Sequence, residues 1–290
     1  MSGVASLVAD GVLLGLLFAT AALGLSLIMG IMGVVNVSHS AFIMLGSFFA
    51  FELVRRFGVD PVLSFFIALP VFFLIGAALY WLLITRVQRS QPTQGLIVMF
   101  GLMVLIENLG IIAWTTDTRV MTVSYTNASV AIGPIVLAQV KLIAATLALV
   151  IITAVWGFLK FSLVGRAIRA VGQNREAAIS LGMNVNRLSM IIFGLGIGCA
   201  GAAGVALAMV FPFSPNTQVQ WLTWAFLVVV MGGLGNVGAT VGAGIVVGLI
   251  QSLCAAFLPF DYVYLLLYVS LAVILIARRE GLSGAVRRTV

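Results

Sequence analysis

Residues 165–188 read GRAIRAVGQNREAAISLGMNVNRL and form the one long polar stretch in an otherwise apolar chain. Four arginines in this stretch accompany a single acid, Glu176. An excess of arginine in a short loop between membrane segments is typical of the cytoplasmic side. The stretch therefore predicts a membrane protein with a cytoplasmic loop at residues 161–187, and it orients the segments on either side.

Inside this loop the sequence predicts a short helix, roughly Arg175–Leu181. Asn174 can cap its first turn, where the helix dipole favours the acid Glu176. Gly182 can end it in a left-handed conformation. The helix carries three small side chains, Ala177, Ala178 and Ser180. Such a surface suits close insertion into a groove of another protein, so we expect a docking element.

Two blocks of sequence resemble a known family. Glu176-Ala177-Ala178-x-x-x-Gly182 resembles the EAA loop of ATP-binding-cassette (ABC) importer permeases, the cytoplasmic coupling helix that rests on the ATPase subunit. The residues around it resemble the version in permeases of the branched-chain amino-acid uptake family. Residues 24–48, GLSLIMGIMGVVNVSHSAFIMLGSF, resemble that family's first conserved block. Because the blocks lie in opposite halves, the resemblance extends over nearly the whole chain.

The resemblance implies a single transmembrane permease domain, residues 1–290, in a bacterial inner membrane. Its function would be that of a permease subunit in an ATP-driven importer of branched-chain amino acids or related small polar or aromatic solutes. It would not be an enzyme and would bind no cofactor, because ATP is used by partner subunits. The implied partners are two ATP-binding cassette subunits, a second homologous permease chain and a periplasmic or extracellular substrate-binding protein. The implied coupling residues are Arg169, Gln173, Asn174, Glu176, Ala177, Ala178 and Gly182.

Composition alone predicts an all-α, polytopic membrane protein. The chain of 290 residues is 62% hydrophobic and 8% charged, whereas about a quarter of a soluble domain is charged. Its net charge of +7 is explained by topology and lipid headgroups, so membrane lipids and no nucleic acid are expected as partners. Apolar runs of about 20 residues predict eight or nine membrane segments, near 11–35, 40–56, 61–85, 95–114, 138–160, 188–212, 221–235, 238–258 and 262–278.

Counting these segments gives an orientation. Arg86, Arg89, the loop at 161–187 and the arginines near the C-terminus fall on one side, which predicts an outward N-terminus and a cytoplasmic C-terminus. Arg55 and Arg56 are exceptions, because they fall in an outer connection. The segment 115–138 becomes the largest outer loop, and it is either part of a docking surface for a substrate-delivery protein or a plain connector.

The run 221–235 is short and ends in the glycine-rich break at 232–236, which allows a re-entrant or discontinuous helix there. Residues 233–238 also satisfy the pattern G-x-G-x-x-G. That pattern indicates a dinucleotide site only within a strand–turn–helix unit followed by an acid, and here apolar residues follow. Close helix packing is the better interpretation.

Polar residues in apolar surroundings are candidates for the substrate pathway. His39 is the one histidine of the chain and follows Asn36 in a polar interruption between two membrane runs. It is either a pathway or helix-break residue or an interfacial histidine at a helix end, and without Cys, Asp or a second His nearby it predicts no metal site. Glu107 and Asn108 lie within an apolar run, where an acid by default faces a bundle interior or a water-filled cavity. The alternative is a structural pair with a polar neighbour. Asn236 completes the candidate set.

Two other classes of protein compete with the importer interpretation. A secondary transporter or channel would show ionisable residues within several membrane segments, and beyond Glu107 these are scarce. An integral-membrane enzyme would need clustered catalytic groups, which one histidine and two cysteines in apolar runs do not supply.

Overall fold

The structure is a computed structural model that describes residues 2–87, 92–133 and 135–257, with isolated positions between 262 and 276. Its helices are α1 (Ser2–Met32), α2 (His39–Phe57), α3 (Pro61–Leu79), α4 (Thr85–Val87), α5 (Pro92–Trp114), α6 (Gln139–Phe161), α7 (Leu163–Gln173), α8 (Arg175–Ser180), α9 (Val185–Val210), α10 (Gln218–Gly232) and α11 (Val237–Phe257). A π-helical turn, Tyr80–Ile84, follows α3, and a 3-10 turn, Pro215–Thr217, precedes α10. Two short strands, β1 (Ser129–Ile132) and β2 (Ile135–Ala138), pair antiparallel.

The prediction of an all-α, polytopic membrane protein is confirmed. Among the residues that the structure describes, six helical segments are long and apolar enough to cross a membrane: α1, α3 with its π-helical turn, α5, α6, α9 and α11. The predicted segments 40–56 and 221–235 correspond to α2, which carries Glu52, Arg55 and Arg56, and to α10, which has only 15 residues. The predicted segment 262–278, Arg89 and the C-terminal arginines lie outside the continuously described residues.

The ends of the helices gather on two opposite sides of the bundle. On the side that carries β1 and β2, here called the hairpin side, the amide of Val136 donates to Ser6 Oγ (3.3 Å). The hydroxyl of Ser252 donates to the carbonyl of Leu7 across 2.8 Å. The end of α11 therefore lies beside the start of α1. The opposite side, here called the α8 side, carries α7, α8 and the connection between α10 and α11.

The predicted outer loop, 115–138, carries the hairpin and lies on the hairpin side. The hydroxyl of Tyr125 donates to Asp60 Oδ1 across 3.2 Å. Burial, together with the neighbouring Asp60 carboxylate, raises the pKa of Tyr125, so its hydroxyl stays protonated and available as a donor. Asp60 also caps α3 by accepting a hydrogen bond from the amide of Val62. The sequence did not predict strands here, because the pattern is short and flanked by membrane segments.

A bidentate ion pair joins two helices on this side. The ammonium of Lys141, at the start of α6, lies 2.7 and 2.9 Å from the two carboxylate oxygens of Asp10 in α1. Both side chains are less than a third exposed. The pair therefore removes the cost of leaving either charge alone at a depth where water is scarce.

Helix α9 is the centre of the bundle, and glycines let its neighbours approach closely. A Cβ on Gly204 would meet the carbonyl oxygen of Ile43 at 2.0 Å, and one on Gly46 would meet that of Gly201 at 2.1 Å. The buried hydroxyl of Ser47 donates to the carbonyl of Gly204 across 2.9 Å. Small residues at the interface bring helices of a membrane bundle close together.

Two partly buried segments interrupt the helices within the bundle. His39, at the start of α2, bonds the carbonyl of Ala21 near the middle of α1, so residues 33–38 must run back along α1 in non-helical form. At the other break, residues 211–217, Phe211 stacks on Phe18 with ring centroids 6.3 Å apart. Non-helical backbone at membrane depth is tolerated where protein buries it or where it borders a cavity.

The break predicted at 232–236 has a different form. Helix α10 ends at Gly232, and α11 starts at Val237 and returns beside it, so the glycines form a tight connection between two neighbouring helices. A Cβ on Gly232 would meet the backbone of Ala239 at 2.8 Å, which shows how closely the two helices approach. The chain is therefore discontinuous before α2 and before α10 rather than after α10.

Candidate functional site

The helix predicted in the polar loop is present as α8. The side chain of Asn174 accepts a hydrogen bond from the amide of Ala177 across 2.9 Å, and Glu176 lies in the first turn. Gly182 adopts φ = 78°. Its amide donates a hydrogen bond to the carbonyl of Ile179, and the amide of Met183 donates one to the carbonyl of Ala178. This pair of hydrogen bonds is a Schellman motif, so both ends of a six-residue helix are fixed.

A small apolar cluster fastens α8 to the membrane bundle. Ala178 is 2% exposed and packs with Val171 of α7 and Val185 of α9, and Met183 and Leu188 cover the cluster. Through Val185, the first residue of α9, this cluster joins α8 to the central helix of the bundle.

The outer surface of α8 is more apolar than the sequence analysis predicted. Ala177 and Ser180 are exposed, but the large exposed side chains are Ile179 (56% exposed) and Leu181 (77% exposed). Only Ala178 of the three small residues faces inward. Two exposed aliphatic side chains therefore lie side by side at the end of this fixed helix. The end of the helix at Gly182 is the sequence signal that could have predicted these exposed side chains, because it places Leu181 in the last turn.

The remaining predicted coupling residues belong to α7, which the sequence analysis did not separate from the loop. Ser162 caps this helix by accepting a hydrogen bond from the amide of Gly165 (2.8 Å). Arg169 is exposed and directs one nitrogen to the carbonyl of Lys160 at 3.4 Å. Gln173 is exposed and ends the helix. These residues therefore lie on the surface next to α8.

Asn36 and His39 lie at the break before α2, and both are fully buried. The hydroxyl of Ser38 donates to Asn36 Oδ1 across 2.7 Å. His39 Nε2 lies 2.9 Å from the carbonyl oxygen of Ala21. In this conformation the two residues hold the non-helical backbone together. Their part in a pathway stays a prediction.

Glu107 and Asn108 lie on the outer face of α5. Glu107 is half-buried, and Asn108 is exposed and donates its amide to the carbonyl of Val104, one turn back (2.8 Å). Asn236 is exposed on the α8 side and caps α11 by accepting a hydrogen bond from the amide of Ala239. The five candidate pathway residues therefore fall at three separate places, the α2 break, α5 and the start of α11.

Near Asn236, the start of α11 is tied to α1. The amide of Gly235 donates to the hydroxyl of Ser26 across 3.1 Å, and Thr240 donates to the same hydroxyl at 3.1 Å. A Cβ on Gly30 would meet Gly235 at 2.4 Å. In residues 2–87, 92–133 and 135–257 no cluster of three His, Cys, Asp or Glu side chains could hold a metal ion.

A bundle of apolar helices around a glycine-rich centre, with one fixed helix outside it, defines a polytopic membrane protein. Residues 7–277 match the family model described as "Branched-chain amino acid transport system / permease component". The chain therefore belongs to the branched-chain amino-acid transport permease family, as the two sequence blocks indicated.

Curated relatives agree with this assignment. The chain is 26% identical to the high-affinity branched-chain amino acid transport system permease protein LivH of Escherichia coli, over 95% of this chain and 94% of that protein. It is 23% identical to the corresponding protein BraD of Pseudomonas aeruginosa, over 95% and 94%. It is also 28% identical to the ribose import permease protein RbsC of Haemophilus influenzae, over 69% of this chain and 61% of that protein. No solved structure matches the chain.

Proposed function

We propose that this chain is the membrane-spanning permease subunit of an ATP-driven importer, and that α8 is its coupling helix. The observation that carries the proposal is the form of α8. Both of its ends are fixed, one side packs through Ala178 on α7 and α9, and the other side exposes Ile179 and Leu181. This is the arrangement needed to receive a movement outside the membrane and transmit it to the bundle.

In this proposal the α8 side is cytoplasmic, because it carries the basic loop, and the N-terminus lies outside. The chain crosses a bacterial inner membrane eight or nine times and pairs with a second homologous permease chain. Two ATP-binding cassette subunits dock on the coupling helices, and a periplasmic or extracellular binding protein delivers substrate. The chain is not an enzyme, because ATP hydrolysis takes place on the partner subunits.

The mechanism follows from the packing of α8. ATP binding closes the two cassettes and shifts α8, which the contact of Ala178 with Val171 and Val185 joins to α7 and α9. Helix α9 packs on α1, α2, α3 and α6, so the shift moves these helices as a body. The pathway between the two permeases then opens toward the binding protein.

Branched-chain amino acids or related small polar or aromatic solutes are the proposed substrates. LivH and BraD are named for branched-chain amino acid transport, and RbsC is named for ribose import. All of these solutes carry no net charge. This common property favours an uncharged or zwitterionic substrate for the chain.

A pull-down of the tagged chain from its host membrane tests the coupling site. We expect ATP-binding subunits to be recovered with the wild type and lost with Leu181→Asp, because a charge replaces an exposed aliphatic contact. Leu234→Asp is the matched control, since Leu234 is 50% exposed in the connection on the same side of the bundle. Loss of the subunits from both variants, or from neither, would contradict the assignment of α8.

A further inference from the structure

A polar cavity lies beside the first turns of α10. Its volume is about 410 Å³, and six of the residues that line it are polar: Ser214, Asn216, Thr217, Gln220, Thr223 and Tyr268. None of these six is an acid, a lysine, an arginine or a histidine. Hydrogen-bonding groups without charge can fix the orientation of a ligand in a site whose walls are otherwise apolar.

Two of the polar residues, Gln220 and Thr223, lie three residues apart on one face of α10, and Asn216 belongs to the 3-10 turn before the helix. The adjacent face is fixed by aromatic rings, because Trp224 packs on Phe18 with centroids 4.6 Å apart and on Trp221 at 5.3 Å. Both tryptophans are 2% exposed. The aromatic face therefore holds α10 with its polar face toward the cavity.

An apolar cavity continues from the polar one along the same helix. It has a volume of about 370 Å³, is lined by Leu222, Phe226, Leu227 and Val230, and shares Thr223 and Tyr268 with the polar cavity. Ligand sites in proteins typically have volumes of about 300–1,000 Å³, with apolar walls and a few polar groups that fix orientation. The two cavities together have this character.

The backbone before α10 supports a pathway at this place. Residues 211–217 contain no α-helix, and Phe211 contacts Phe18 near the middle of α1, while Phe213 exchanges two backbone hydrogen bonds with Arg119 of the loop at 115–138. The break therefore joins the bundle to that loop, and transporters place non-helical backbone beside the substrate site. The larger cavity between α2, α3 and α5 lacks this feature. It has a volume of about 530 Å³ and mainly apolar walls, and its charged residues, Glu52 and Arg56, pair with each other.

We propose that the polar and apolar cavities along α10 form a solute-contacting site of the transport pathway. The solute is small, carries no net charge, and has a polar end and an apolar end. Asn216, Gln220 and Thr223 contact its polar end, and Phe226, Leu227 and Val230 contact its apolar end. A neutral zwitterionic amino acid fits this description. The site rests on the proposed function, because it presumes that the chain is a permease.

The first test measures uptake by the complete transporter reconstituted in proteoliposomes. With L-leucine as the probe, we expect Gln220→Leu and Thr223→Val each to raise KM by about three- to tenfold, the effect of losing one hydrogen bond. Thr153→Val is the control, because Thr153 is an exposed helical threonine that bonds the carbonyl four residues earlier, as Thr223 does. Equal KM values in all three variants would overturn the site, as would preference of the wild type for L-glutamate or L-lysine over L-leucine.

The second test does not depend on uptake by the variants. In a chain with Cys254→Ser, Thr223→Cys is treated with a membrane-impermeant thiol reagent in the assembled transporter. We expect labelling at this position, slowing by L-leucine of at least threefold, and no labelling of Thr153→Cys. Labelling that L-leucine does not change, or no labelling of Thr223→Cys, would overturn the site.

Failure of the site and failure of the proposed function give different results. A wild type that lacks ATP-dependent uptake and ATP-binding subunits contradicts the importer proposal. A wild type that transports L-leucine with ATP, alongside α10 variants that behave like Thr153→Val, contradicts only the α10 site.

Discussion

Replacing Gly204 by alanine tests the close packing at the centre of the bundle. The added Cβ would lie 2.0 Å from the carbonyl oxygen of Ile43, and Cβ atoms essentially never approach another atom within 3.0 Å, so α9 and α2 must separate by about 1.0 Å at this place. Overpacking of this kind costs about 1–3 kcal/mol. The same separation stretches the hydrogen bond from the Ser47 hydroxyl to the Gly204 carbonyl, which contributes about 1 kcal/mol to stability.

Alanine favours a helix over glycine by up to about 1 kcal/mol, so the net loss of stability for Gly204→Ala is about 1–3 kcal/mol. At roughly 2–4 °C per kcal/mol, the midpoint of thermal unfolding in detergent falls by about 2–12 °C. Gly157→Ala in α6 is the matched control, because its Cβ would meet no atom within 4 Å. Its midpoint stays the same or rises. Equal midpoints for the two variants would refute the close contact between α2 and α9.

Three further substitutions test other contacts by the same thermal measurement. Lys141→Met leaves the Asp10 carboxylate without its partner, so we expect the free energy of unfolding to fall by about 2–3 kcal/mol. The double variant with Asp10→Asn should regain part of this stability, and additive losses would contradict the ion pair. Ser26→Ala removes the hydroxyl that accepts from Gly235 and Thr240 but keeps the Ser26 carbonyl as an acceptor for the Gly235 amide. It lowers stability by about 0.5–1 kcal/mol, and an unchanged midpoint would show that the Ser26 hydroxyl does not hold the start of α11. His39→Ala removes the hydrogen bond to α1 and opens space at a fully buried position, so the free energy of unfolding falls by about 2–4 kcal/mol. A stable variant with altered substrate preference would instead place His39 in the pathway.

Much of the bundle could be predicted from the sequence, because apolar length and glycine content are local properties. The caps of α8 were predictable for the same reason, since Asn174 and Gly182 act on their own turns. The return of residues 33–38 along α1 was not, because it depends on the contact between His39 and Ala21, eighteen residues apart. Likewise, the glycine-rich break after α10 looked like a discontinuous helix, but its form is decided by how α11 packs against α10.

The candidate site was predicted less completely. Acids and amides in apolar runs drew attention to Glu107 and Asn108, whose part in a pathway stays a prediction. The polar face of α10 was missed, because Gln220 and Thr223 lie in a run whose tryptophans make it look uniformly apolar. Only the position of those tryptophans against Phe18 shows which face of α10 borders the cavities.

The energy source of solute uptake is the most direct test of the proposal that this chain belongs to an ATP-driven importer. Proteoliposomes that contain this chain with its partner permease, ATP-binding subunits and binding protein are loaded with ATP on the α8 side and supplied with L-leucine outside. If this chain is the permease of an ATP-driven importer, we expect uptake that requires ATP, persists with a protonophore and is lost in Leu181→Asp. Uptake that continues without ATP and collapses with the proton gradient would contradict it and identify a secondary transporter.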